Sequence, residues 1–135
     1  MRVLGIDYGS RRTGIALGDT EAKIASPWRV IEAEEIADVI REIKTIIEEE
    51  QIGQIVVGVP RPLRNRDQEN GQVMEVKNFI TELRTLSLPV HEEDEVLSSG
   101  LAGQQMLERG QKGKRDDLAA AVILQSWLDR HAVSS

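Results

Sequence analysis

Short apolar blocks at the start of the chain give way to helically spaced apolar residues, and each change of period marks an element. Residues 2–7 (Arg-Val-Leu-Gly-Ile-Asp) read as a buried strand ending on an acid, and Thr13 to Leu17 as a second strand after a Gly9-Ser10-Arg11-Arg12 turn, a hairpin opening. Ala22 to Ile31 is β-capable but contains Pro27, which predicts a third strand at an edge or one broken in the middle. From Glu34 to Glu50 the apolar residues Ile36, Val39, Ile40, Ile43, Ile46 and Ile47 fall on one helix face, with Gly53 as the stop. Gln54 to Val59 is a nearly all-apolar run of the kind covered on both faces, which makes the preceding helix a parallel crossover.

A polar loop from Pro60 to Asn70 leads to a second helical pattern, Val73, Val76, Phe79, Ile80, Leu83 and Leu86, closed by Pro89. Leu88 to His91 is a brief strand running into Glu92-Glu93-Asp94-Glu95. Ser98 or Ser99 can cap a helix reaching Arg109 with Gly110 at its end, and Asp116 can cap a last helix, Leu118 to His131. The order β-β-β-α-β-α-β-α-α predicts an α/β fold: a mixed sheet with a hairpin start, parallel crossovers and helices on both faces.

At 135 residues the chain reads as one domain, 1–135, too short for a two-domain enzyme. Zero Cys excludes disulfides, thiolate zinc sites, iron–sulfur clusters and a thiol nucleophile, so any metal must bind through oxygen or imidazole. The N-terminus is unlike a signal peptide and no apolar stretch approaches the ~20 residues of a membrane span, so a cytoplasmic protein without a membrane partner is expected. A net charge of −6 ordinarily argues against a nucleic-acid partner. Its distribution reverses that argument: residues 32–50 hold eight acids and two bases, and elsewhere fifteen acids balance fifteen bases. The bases outside that segment cluster as Arg11-Arg12, as Arg61, Arg64 and Arg66, and as Lys112, Lys114 and Arg115, each beside a predicted loop and open to a polyanion.

Three acids fall at element ends: Asp7 closing the first strand, Glu95 after the last, and Asp116 opening the last helix. Each has an ordinary structural reading as well, most plainly the helix cap for Asp116 and the solvated acidic run for Glu95. Asp7, inside an apolar strand, is harder to explain as surface decoration. In open α/β sheets the carboxyl ends of adjacent parallel strands form the usual site crevice. Carboxylate oxygens gathered there suit Mg²⁺ or Mn²⁺, and a pair of such ions about 3.5–4 Å apart is the equipment of phosphodiester hydrolysis.

The densest signal is Gly5-Ile6-Asp7-Tyr8-Gly9-Ser10-Arg11-Arg12-Thr13-Gly14-Ile15-Ala16, where Gly9 can keep the backbone tight and Arg11 or Arg12 can meet a phosphate. This Gly-x-Asp-x-Gly-x-x-Arg-x-Gly opening resembles the YqgF family of RNase H-like nucleases, described as Holliday junction resolvases and as pre-16S rRNA processing nucleases. Gly58-Val59-Pro60 is similar to the family's Gly-Leu-Pro segment. Asp94-Glu95 with Leu97-Ser98-Ser99 and Ala102 resembles its Asp-Glu-Arg-Leu-Thr-Thr stretch, and Asp116 with Ala119-Ala120 to Leu128 resembles its closing helix. The resemblance implies an RNase H-like fold and Mg²⁺-dependent endonuclease activity. It also implies Asp7, Glu95 and Asp116 as metal-binding catalytic acids, Asp116 in preference to Asp117.

Two departures stand out. Val96 occupies the position where the family usually carries Arg, and Arg61-Pro62-Leu63-Arg64-Asn65-Arg66 replaces the commoner Asn-Met-Asp-Gly type of loop. The expected substrate contacts are Gly9, Arg11, Arg12, Arg61, Arg64, Arg66, Ser98, Ser99, Lys112, Lys114 and Arg115. The leading expectation is 5′-end maturation of pre-16S ribosomal RNA, with the RNA precursor or ribosomal subunit as partner and a monomer or weak homodimer as the working form. Resolution of branched DNA and a non-catalytic ribosome assembly factor are the alternatives. Actin-like ATPases share the Gly-Ile-Asp-x-Gly strand but need a second domain to close on nucleotide. His91 and His131 are expected to be structural, and so are Trp28 and Trp127, because aromatics make up only 3% of the chain.

Overall fold

The computed structural model describes residues 1–59, 71–94 and 116–131. Five strands form one mixed sheet: β1 (Arg2–Asp7), β2 (Arg12–Asp19), β3 (Ile24–Glu32), β4 (Ile52–Val59) and β5 (Val90–Asp94). Their order across the sheet is β3-β2-β1-β4-β5, with β1, β2 and β3 antiparallel neighbours and β4 and β5 parallel continuations from β1. Helix α1 (Ile36–Glu50) supplies the crossover from β3 to β4, and α2 (Gly71–Leu83), followed by a 3₁₀ turn at Arg84–Leu86, lies between β4 and β5. The last helix, α3, spans Asp116–His131. The α/β order is as the sequence predicts, and the expected helix from Ser98 or Ser99 to Arg109 lies outside the described residues.

Alternation along each strand divides the core in two. Leu4, Ile6, Ile15, Ile31, Ile55 and Val57 face α1 and α2, packing with Val39, Ile43 and Ile46 of α1 and with Val76, Phe79, Ile80 and Leu83 of α2. Each of these apolar side chains, nearly or fully buried, contributes about 1.5–3 kcal/mol relative to exposure. Val3, Ala16 and Val56 face the other way, onto Ala120, Ala121, Ile123, Leu124, Trp127 and Leu128 of α3. Helices therefore cover both faces.

Local chemistry explains several element ends that the sequence places differently. Helix α1 stops at Glu50 because Gln51 turns left-handed (φ 54°), two residues before Gly53, and Arg2 Nη1 donates to the Glu50 carbonyl at 3.1 Å and to its carboxylate at 3.0 Å. Strand β3 is continuous through Pro27: Ile15 pairs with Arg29 and Ala16 with Pro27, so Trp28 is the extra residue of a bulge. An edge strand tolerates proline where no ladder N–H is required of it. Trp28 packs against the α1-side core with the Arg29 guanidinium 4.2 Å from its ring centroid, and Trp127 is 6% exposed, so both tryptophans are packing residues.

Strand β5 runs to Asp94, three residues past the predicted end at His91, and this overturns the reading of Glu93 and Asp94 as a solvated run: they are 1% and 3% exposed. The second helix ends at Leu83, not Leu86, and tightens into the 3₁₀ turn. Asp116 is the first residue of α3 and not a cap ahead of Leu118, while Asp117 Oδ1 accepts from the Leu118 N–H at 3.0 Å.

Candidate active site

Asp7 ends β1 on the α3 side of the sheet, two and four residues on from Gly5 and Val3, which both pack toward that helix. Opposite it across the hairpin stands Gly14. A Cβ on Gly14 would lie 1.9 Å from the Asp116 carbonyl oxygen and 2.8 Å from the Asp117 nitrogen, so the first turn of α3 rests directly on the bare backbone beside Asp7. The same helix leans on two further glycines, where a Cβ would meet Leu124 at 2.7 Å (Gly5) and 2.9 Å (Gly18). Two acids 109 positions apart in sequence are thereby brought to one edge, Asp7 by the hairpin and Asp116 by a helix seated on glycine. Glu95 lies outside the described residues, and among the described residues no three acidic or histidine side chains gather where they could hold a metal.

The turn between β1 and β2 needs its glycine. At Gly9 a Cβ would sit 2.5 Å from the Arg12 carbonyl oxygen, as the tight turn predicted beside Asp7 requires. Arg11 and Arg12 stand 84% and 60% exposed at this rim, each 3.9 Å from a carboxylate oxygen, of Glu34 and Glu32 respectively. Together with Ala33 these four side chains line an open cavity of about 300 Å³. Exposed pairs of that length contribute little, so both guanidiniums are available to exchange a glutamate for a phosphate. Arg61, Arg64, Arg66, Ser98, Ser99, Lys112, Lys114 and Arg115 lie outside the described residues.

Tyr8, next after Asp7, is stacked on Phe79 of α2 with ring centroids 4.3 Å apart. Burial and then the nearby charge of Glu75 push its phenol above the ordinary tyrosine range, so it stays neutral beside the site. The residue that sequence reasoning passes over is Glu93. It is level with Gly58 of β4, its carboxylate accepts from Ser126 Oγ at 2.8 Å, and it is paired with Arg130. Continuing the β alternation through His91 and Glu93 was the signal that could have found it.

A mixed β3-β2-β1-β4-β5 sheet with helices on both faces is the RNase H-like fold. The chain belongs to the RuvX (YqgF) family, whose model, described as "Holliday junction resolvase", matches residues 1–130. It is 38% identical over 136 residues to a protein of Maridesulfovibrio salexigens named "Putative pre-16S rRNA nuclease", with 96% of this chain and 99% of that one covered. A Bacteroides fragilis protein of the same name is 34% identical, with 95% and 96% covered. Among solved structures, Thermus thermophilus RuvC bound to a Holliday junction superposes with a TM-score of 0.69 at 15% identity, covering 99% of this chain and 98% of that one. The Fowlpox virus resolvase in complex with junction DNA gives 0.55 at 12% identity, covering 96% and 98%. Both support the fold.

Proposed function

We propose that this chain is a metal-dependent endonuclease that hydrolyses phosphodiester bonds of structured nucleic acid, with the 5′ end of precursor 16S ribosomal RNA as its substrate. The observation that carries the reading is the seating of α3 on Gly14, which brings the start of that helix beside Asp7. Asp7, Glu95 and Asp116 are assigned as the acids, Glu95 being the residue that follows the end of β5 in the sequence.

The donor set fits a hard cation, because Asp7 and Asp116 offer carboxylate oxygen and the sequence has no thiolate. When bound, one or two Mg²⁺ or Mn²⁺ ions supply a polarised water and neutralise charge on the phosphate oxygens. The chain's own contribution is to hold these carboxylates on regular elements, Asp7 at the end of a central strand and Asp116 on a helix seated against the bare backbone of Gly14. Arg11 and Arg12 anchor phosphates at the rim, and Arg61, Arg64 and Arg66 are assigned to restore, from another direction, the substrate charge that Val96 withholds. The names of the relatives favour RNA, and the family description keeps branched DNA as the second substrate to test.

The test is cleavage of a precursor rRNA and of a four-way DNA junction with Mg²⁺, Mn²⁺ or chelator, by wild type and by Asp7→Asn, Glu95→Gln and Asp116→Asn. Expected is metal-dependent cutting of the RNA that falls by roughly 100-fold or more in each folded variant. Preferential cutting of the junction would move the assignment to resolvase. Ribosome binding without cleavage under any metal would make the chain an assembly factor.

A further inference from the structure

Glu93 is 1% exposed, yet its partner Arg130 is 45% exposed. An interior carboxylate is costly to bury unless it is fully paired, and an apolar residue or a glutamine would fill the position at lower cost. Ser126 Oγ satisfies one carboxylate oxygen and the Arg130 guanidinium the other. What this arrangement achieves is a cation fixed from below with its outer edge turned to solvent. Arginine carries five donors, so one Nη engaged by Glu93 leaves the rest of the fork to meet a second anion.

Its place in the sheet says which anion. Ile6 pairs with Val57 and Gly58 pairs with Glu93, so Glu93 is level with Asp7 two strands away, about 10 Å at the usual strand spacing. Both face α3, and Gly58 between them has no side chain. We infer that Arg130, held by Glu93, binds a phosphodiester of the substrate strand flanking the one cut at Asp7, and that Glu93 is a positioning residue for this contact. The inference rests on the proposed nuclease function and adds a phosphate contact at the far end of α3 from Asp116.

Binding of a pre-16S 5′-end RNA and of a four-way DNA junction, measured against salt without divalent metal, separates this role from a merely structural one. Wild type is compared with Glu93→Gln/Arg130→Gln, which leaves no buried charge unpaired, and Glu93→Gln alone, which loosens Arg130, is expected to fall between them. Expected is a slope of log K against log salt lower by about 0.7–0.9 in the double variant, the signature of one lost phosphate contact, at an unchanged melting temperature. Equal slopes would overturn the inference. Arg130→Lys, which keeps Glu93 paired, is expected to retain the slope and weaken binding about threefold through the lost fork; unchanged affinity would count equally against it. Should wild type neither bind nor cut either probe, the nuclease reading falls and takes this contact with it. Wild-type cutting with matched variant slopes removes the Arg130 contact alone.

Discussion

At the scale of single residues, the site depends on an atom that is missing. A methyl group at Gly14 would have to occupy space already held by the backbone of Asp116, with the carbonyl carbon only 2.2 Å away, and backbone cannot rotate aside as a side chain can. Gly14→Ala is therefore expected to displace the start of α3, cost about 1–3 kcal/mol in stability and reduce cleavage by about 100-fold. Gly71→Ala, where an added Cβ meets nothing within 4 Å among the described residues, is the control and should leave both intact or slightly raise stability. Denaturant melts with cleavage rates on the same samples check the pair. His91 carries a different kind of signal. Its Nε2 is 2.7 Å from Gln54 Oε1 and its ring lies 4.9 Å from that of Trp127, which in turn stacks on His131. Burial first, then the charges of His131 and Arg84, hold its pKa below the ordinary value. The unfolded chain therefore takes up this proton before the folded one, so the contribution is complete above about pH 6.5 and is lost as pH falls from there through the lower folded value. Melting temperature should drop between pH 7.5 and 5.5 in wild type and drop less in His91→Phe, whatever the offset between them; equal drops would assign the effect to other groups.

Among the elements, α3 does the assembling. Its buried residues include the unbroken run Ala120–Leu124, so it is not a one-sided surface helix, and it touches the sheet from edge to edge. Gln125 accepts from the Ala25 N–H and donates to the Lys23 carbonyl, both at 2.9 Å, bonding the helix to the backbone at the start of β3. Ser126 and Arg130 fix it to β5 through Glu93. Periodicity made the strands and helices legible because a buried face repeats every two or 3.6 residues, and the Gly5-to-Ala16 motif placed Asp7 beside the turn. Less legible was whatever tertiary contact decides. Pro27 left open an edge strand or a broken one; β3 is the edge, and it stays continuous because of a bulge at Trp28 that is a property of two strands. Glu93 and Asp94 looked solvated because their burial depends on elements that pack over β5, and in Glu93's case on an arginine 37 positions later. The pairing of Asp7 with Asp116 could be guessed from element ends, but the glycine that enforces it became meaningful only with α3 in place.

Over the whole molecule, the acidic surplus of residues 32–50 is split. Glu32 and Glu34 stand beside Arg12 and Arg11, whereas α1 holds five of the eight acids with both bases and covers the side of the sheet away from Asp7. Glu42, Glu48 and Glu49 are exposed there, with the sheet between them and the site, a separation greater than the ~8 Å Debye length at physiological salt. Replacing all three with Gln is expected to change nucleic-acid affinity by less than about twofold at 0.15 M salt, while raising the association rate at 0.01 M, where the Debye length reaches ~30 Å. Stopped-flow binding at the two salt concentrations checks this, and a larger change at 0.15 M would mean that α1 lies closer to the bound strand than the fold places it.

The seating of α3 on Gly14 also has a consequence in time. A ribosome releases Asp116 more than a hundred residues after Asp7, and of these two acids the hairpin alone offers only Asp7. On the proposed function, until α3 docks the nascent chain lacks the pair of acids, so an unfinished copy carries no assembled cutting edge beside the RNA-rich machine that makes it.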